Sequence, residues 1–187
     1  LDTMADGSGF MWLKRYAVLT VVNQPPPLGA FRPAVASDDK NSYFTEDMID
    51  YTRLQSIPAL ADAPTYKTLA QAAADTAPLM PAWFPAEHAG GDHARRLHAS
   101  LHYTGYGRDL SAHLADAMLA THQPGTAEEK RDAVVNLCQI GIDLCGQVEA
   151  EMGFGIGGAI TQGRKPVAVY TAVLLNDPGL LATVHKD

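Results

Sequence analysis

Residues 109–152 read DLSAHLADAMLATHQPGTAEEKRDAVVNLCQIGIDLCGQVEAEM, and the spacing of their apolar side chains decides the fold. Thr126-Ala127-Glu128-Glu129 has the form of a capping box. The Thr126 hydroxyl is placed to accept from the amide three residues on, and Glu129 to reach back to the Thr126 amide. Glu128 and Glu129 also fall in the first turn, where the helix dipole favours negative charge. From there Val134, Leu137, Cys138, Gly141, Leu144, Cys145, Val148 and Met152 recur at helical spacing, giving one apolar stripe on a helix predicted over Ala127–Met152. Upstream, Leu110, His113, Leu114, Ala117, Met118 and Thr121 form a second stripe on a helix predicted over Asp109–His122. The Pro124-Gly125 turn leaves about four residues between them, a link short enough to make the two helices antiparallel neighbours.

A third apolar segment, Pro166–Leu175, follows the glycine run Gly153-Phe154-Gly155-Ile156-Gly157-Gly158. Val167, Val169, Tyr170, Thr171 and Val173 suit a strand. Pro166 suits a first helical turn and Asn176-Asp177-Pro178 a helix stop, so a buried helix is the reading taken. The last ten residues add one more turn of helix.

Ahead of the hairpin, residues 1–22 carry β-branched and aromatic side chains from Phe10 to Val22 and read as a β segment. A lone strand makes no sheet, so it is expected to pair with another chain, another copy or a further domain. Pro25-Pro26-Pro27 through Pro33 form a stiff, polyproline-like connection, and residues 23–45 read as an extended arm. Ser37-Asp38-Asp39-Lys40-Asn41 is a polar turn. Thr45-Glu46-Asp47 is predicted to cap a short helix to about Leu54. A second is predicted from Pro64 to about Ala74, with Tyr66, Leu69, Ala70 and Ala73 inward. Residues 78–92 read as an irregular loop and 93–103 as a short helix. The expected organisation is a β segment (1–22), an arm (23–45) and a helical domain (46–187). The fold class is mainly α: an antiparallel helical hairpin or bundle with a short N-terminal β segment and an extended proline-rich arm.

A formal charge of −7 over 187 residues gives no electrostatic reason to approach nucleic acid or anionic lipid. The longest apolar run, Val167–Leu175, is far short of the roughly 20 residues that span a bilayer, so no membrane insertion is expected. The chain opens on Leu1 without an initiator Met or signal peptide, which suggests a processed product or a piece of something longer. Cys138 and Cys145 lie seven residues apart on one helix, about 10.5 Å along its axis. Disulfide partners need Cα atoms within about 7 Å, so both read as buried free thiols.

Histidines cluster at His88, His93, His98, His102 and His113. His98 and His102 stand at helical i, i+4 spacing, from which two imidazoles can share a metal. The zincin pattern also needs a Glu after the first His, and Ala99 stands there. Hydrogen-bonded structural histidines are therefore the favoured reading and no metal is expected. His102, Tyr103, Tyr106 and Arg108 meet at a loop-to-helix junction. A Tyr or His there could abstract a proton from an acidic sugar while Arg108 pairs with the uronate in bidentate fashion. The plainer alternative gives Arg108 and Asp109 to helix termini and uses the tyrosines as wedges. The glycine run follows a helix rather than a strand, which excludes a dinucleotide fingerprint, and Arg164-Lys165-Pro166 replaces the Lys-Ser/Thr of a phosphate loop. A simple anion site at Arg164 and Lys165 beside a helix start is what remains, against a plain flexible connection. No cofactor is expected.

Two groups of short motifs carry a resemblance. One is Ala17-Val18-Leu19-Thr20-Val21-Val22, Pro25-Pro26-Pro27, Phe31-Arg32-Pro33 and Asp38-Asp39-Lys40. The other is Tyr106-Gly107-Arg108-Asp109, Gln139 to Leu144, Gly163-Arg164-Lys165-Pro166 and Leu174-Leu175-Asn176-Asp177. Together they resemble a poorly characterised family of large multidomain surface or virion-type proteins from marine bacteria and phage-like genomes, in which a helical module follows a β-rich one. The family's glycine loop is richer in Trp and His before Gly-Arg-Lys, which weakens any site built on that loop here. The resemblance implies surface or particle-associated proteins that meet polysaccharide, and brings no catalytic set with it.

The functional expectation is a structural or interaction module of a larger extracellular or virion-type assembly. Its partners would be other chains of that assembly, as a homo-oligomer, and polysaccharide. The alternative is a polysaccharide lyase-like enzyme, or a glycan hydrolase, acting on acidic glycans with a helical-toroid-like domain.

Overall fold

The computed structural model describes residues 2–3, 11–12, 19–59, 61, 65–66, 107–151 and 164–186. Four helices follow one another within them: α1 (Gly107–Thr121), α2 (Ala127–Glu149), α3 (Arg164–Leu175) and α4 (Pro178–Val184). The mainly α expectation holds. The third apolar segment is a helix, and the last residues add α4.

The start of α2 forms as its sequence dictates. Thr126 Oγ1 accepts from the Glu129 amide at 3.2 Å, and Glu129 Oε2 accepts from the Thr126 amide at 2.7 Å. These bonds to the ionised form hold the Glu129 carboxyl below its ordinary pKa. Its contribution to stability is therefore present above the unfolded carboxylate pKa and lost as pH falls through the lowered one. Thr126→Ala removes the hydroxyl side of the box and is expected to cost about 1 kcal/mol in urea unfolding. An unchanged unfolding midpoint would contradict the cap. Between α3 and α4, Asn176 takes a left-handed φ of 48° that ends one helix. Asp177 then caps the next, accepting from the Leu180 amide at 2.8 Å with Pro178 in the first turn.

The core sits where α2 meets its neighbours. Leu114 and Ala117 of α1, Val167 and Ala172 of α3, and Leu180 and Val184 of α4 share one cluster with Val134, Leu137, Leu144 and the two cysteines. Gly141 lets α2 and α3 approach closely, because a Cβ placed there would lie 1.9 Å from Thr171 Oγ1. The stripe read from the sequence is buried from Val134 to Cys145, and the burial extends well beyond it. Every residue from Ile140 to Gln147 is buried, Asp143 and Gln147 included.

At Asp143 and Gly146 that extra burial comes from residues 29–54, a strap laid on the face of α2 opposite the hairpin stripe. Its two limbs pair at an Ala30–Thr45 bridge, with the Phe31 amide donating to Phe44 O at 2.8 Å and the Glu46 amide to Gly29 O at 2.9 Å. Phe31, Ala34 and Ile49 join the helical core. The polar turn forms as expected, with Asp39 Oδ1 accepting from the Asn41 and Ser42 amides at 2.8 and 3.2 Å. The short helix expected from a Thr45 cap does not form. Thr45 makes no side-chain cap bond, and two single 3-10 turns stand instead, Glu46–Met48 and Tyr51–Arg53. Tertiary anchoring interrupts them: Ile49 is buried in extended conformation and the Asp50 amide donates to Leu174 O of α3 at 2.9 Å. Asp50 caps the second turn, accepting from the Thr52 amide at 3.0 Å.

Residues 23–28, ahead of the strap, are exposed. At the front, β1 (Asp2–Thr3) pairs antiparallel with β2 (Met11–Trp12), Asp2 opposite Trp12. Met11 and Trp12 thus have a partner in their own chain, which their sequence does not announce. The helix expected at Pro64–Ala74 lies outside the described residues except Thr65 and Tyr66. Tyr66 Oη donates to Pro124 O at 3.1 Å and so braces the α1–α2 turn.

Candidate functional site

The sequence candidates do not converge among the described residues. His88, His93, His98, His102, Tyr103 and Tyr106 lie outside them. Arg108 falls in the first turn of α1, and its side chain is outside what the structure describes. Arg164 opens α3 as a buried residue, 5% exposed, and burial pushes its pKa below the ordinary guanidinium range. Lys165 beside it is exposed and lines a groove. The pair proposed for an anion thus occupies two environments. Among the described residues, no three His, Cys, Asp or Glu side chains are grouped to hold a metal, and no helix is long and apolar enough to cross a membrane.

The groove runs between α1 and α3, has a volume of about 620 Å³, and is walled by Met118, Leu119, Pro166 and Val169. His122 and Tyr170 give it a polar end. Their rings meet edge to face at 6.3 Å, His122 Nδ1 lies 3.0 Å from Gln55 O, and Tyr170 Oη lies 2.9 Å from Thr121 Oγ1. A carbonyl beside Nδ1 favours the tautomer with its proton there, which leaves Nε2 as an acceptor. Burial pushes the Tyr170 phenol above its ordinary pKa. Thr121 Oγ1 donates to Met118 O at 2.6 Å, so the Tyr170 hydroxyl is the donor to Thr121 and keeps that proton at neutral pH.

A second group fastens the strap. Arg32 grips Asp143 in bidentate fashion, Nη1 to Oδ1 at 2.9 Å and Nη2 to Oδ2. The Val35 amide also donates to Asp143 Oδ1 at 2.9 Å. Gln139 clasps the backbone of Arg32 from both sides, accepting from its amide at 2.8 Å and donating to its carbonyl at 3.1 Å. Lys40 Nζ ties the turn down by donating to Ala34 O at 2.6 Å and Val35 O at 3.0 Å. Burial is the largest influence on Asp143 and raises its pKa, with Arg32 and the Val35 amide pulling the other way. The pair is a fastening: its oxygens and guanidinium nitrogens are spent on each other and on the strap backbone.

No family model, curated protein or solved structure matches this chain. The chemistry must be read from the residues alone.

Sequence reasoning missed Arg32, Gln139 and Asp143. One signal was available. Asp143 is a lone acid inside the apolar run Leu137–Cys145, and a buried carboxylate requires a cation. The two motif groups that carry the resemblance also meet here, Phe31-Arg32-Pro33 against Gln139 to Leu144. The cysteines behave as read: both are buried and unpaired, and burial pushes each thiol up to about 12. Since the thiolate is the nucleophile, a disulfide-exchange reagent at neutral pH is expected to label neither in the folded protein and both in denaturant. Rapid labelling of the native chain would contradict their burial.

Proposed function

We propose that this chain is a structural or interaction module of a larger extracellular or virion-type assembly, working as a homo-oligomer that meets polysaccharide. One observation carries the interaction reading. Leu19 and Val21 are 89% and 76% exposed and Leu28 is fully exposed, whereas Phe31, three residues on, is buried in the helical core. A proline-stiffened arm carrying apolar side chains in water leaves a firmly anchored root. Single exposed apolar residues are ordinary, but three within ten residues, just ahead of an anchored strap, are what a partner surface requires. The extracellular or virion setting and the polysaccharide contact rest on the motif resemblance. The polysaccharide lyase alternative gains nothing from the described groove, where Tyr170 holds its proton.

Sedimentation velocity over a wide concentration range tests the module reading. A mass that is a multiple of the single chain, or that rises with concentration, is the expected result. A well-folded monomer at every concentration would remove its main support.

A further inference from the structure

We propose that Pro25-Pro26-Pro27-Leu28 is a preformed polyproline ligand for a groove walled by tyrosine and tryptophan rings on another chain of the assembly. The inference rests on the module reading above and names the chemistry of its partner. A pyrrolidine ring fixes φ at all three prolines, and Gln24, Pro25 and Pro26 each precede a proline, which steers them away from helical angles. The run therefore winds as a polyproline II helix. It ends in a turn that holds it in place. The Ala30 amide donates to Pro27 O at 3.1 Å, and Gly29 takes a left-handed φ of 72° while Leu28 does not, which defines a type II turn. The first central residue of such a turn has nearly polyproline II angles, so the helix carries through Leu28 and stops at Gly29. Just beyond, the Glu46 amide donates to Gly29 O at 2.9 Å and Phe31 is buried, which fixes the ligand to the bundle.

With three residues per turn, Pro25 and Leu28 fall on one edge of this helix. All four residues are exposed, Leu28 fully. The prolines present apolar rings and carbonyl acceptors but no N–H donor. Their complement is a surface both apolar and donating, which the flat rings of Tyr and Trp supply through their O–H and N–H groups. Docking costs little freedom, because the proline rings have already removed it. Residues 19–28 contain no charged side chain, so docking buries no unpaired charge from the arm. A lipid or other plain apolar surface would take Leu28 equally well, but would not distinguish the prolines.

The probes are a purified SH3, WW and EVH1 domain, each with an aromatic polyproline groove, titrated with the full chain by calorimetry. At least one is expected to bind the parent saturably. Pro26→Ala and Leu28→Ser, both at exposed positions, are expected to keep the parent's melting temperature and to weaken that binding by about tenfold. Binding by none of the three overturns the polyproline reading. So does binding that Leu28→Ser abolishes and Pro26→Ala leaves untouched, which would mark Leu28 as a plain apolar contact. Sedimentation velocity reads self-association separately: a parent that forms oligomers yet binds no probe overturns this inference and leaves the module reading standing. A monomeric parent that binds no probe overturns both.

Discussion

Gly141→Ala is expected to destabilise the protein by about 2–3 kcal/mol in urea unfolding, against the sign that helix propensity alone would give. Alanine is favoured over glycine inside a helix by about 1 kcal/mol, so on an open face the substitution would stabilise. At position 141 the added Cβ would lie 1.9 Å from Thr171 Oγ1, 2.4 Å from Thr171 Cβ and 2.9 Å from Val167 O. Two of these atoms belong to a β-branched side chain and its stem and the third to backbone, so none can swing aside. The α2 and α3 axes must separate, opening packing around Leu137 and Val167. A variant as stable as the parent would show that α2 and α3 do not cross at Gly141.

Asp143→Ala is expected to cost about 3 kcal/mol, the lower end for breaking a buried ion pair, because the Arg32 side chain keeps a quarter of its surface in water. The loss strands the Arg32 guanidinium and the Val35 amide without their acceptor. The raised pKa of Asp143 adds a second expectation, because burial outweighs the pairing that opposes it. Its folded pKa lies above the unfolded value, so its contribution is most favourable below the unfolded pKa and declines as pH rises through the folded one. At neutral pH burial costs the ionised carboxylate more than the pairing returns. Exchanging the pair for apolar residues, Arg32→Met with Asp143→Leu, is therefore expected to restore most of the stability that Asp143→Ala loses. If the double variant is no better than the single one, the pair contributes more than its desolvation takes away.

The bundle was legible because its signals are local. Thr126 and Glu129 bond within one turn, the apolar spacing of α1 and α2 comes from helix geometry, and Asn176-Asp177-Pro178 ends one helix and starts the next within three residues. Pro166 and that stop decided helix over strand for α3, although Val167, Val169 and Val173 alone favour the opposite. The strap was not legible, because its causes are distant in sequence. Helical periodicity assigns Asp143 to a solvated face, and Arg32 and Val35, more than a hundred positions away, cover it. The same distance effect undid the Thr45 helix, where the core position of Ile49 and the Asp50–Leu174 bond override a sound local start. For the site, Arg164 and Lys165 proved to be neighbours with opposite exposure, a difference set by which side of α3 faces α2.

The central claim is that residues 29–54 belong to the helical unit while the chain just before them does not, and hydrogen exchange read residue by residue tests it most directly. The Arg32 and Val35 amides donate to Gln139 Oε1 and Asp143 Oδ1 at 2.8 and 2.9 Å. They are expected to exchange about a hundredfold or more slowly than the amides of Thr20 to Gln24, approaching the rates of central α2. Exchange at Arg32 and Val35 as fast as at Thr20 to Gln24 would contradict the account.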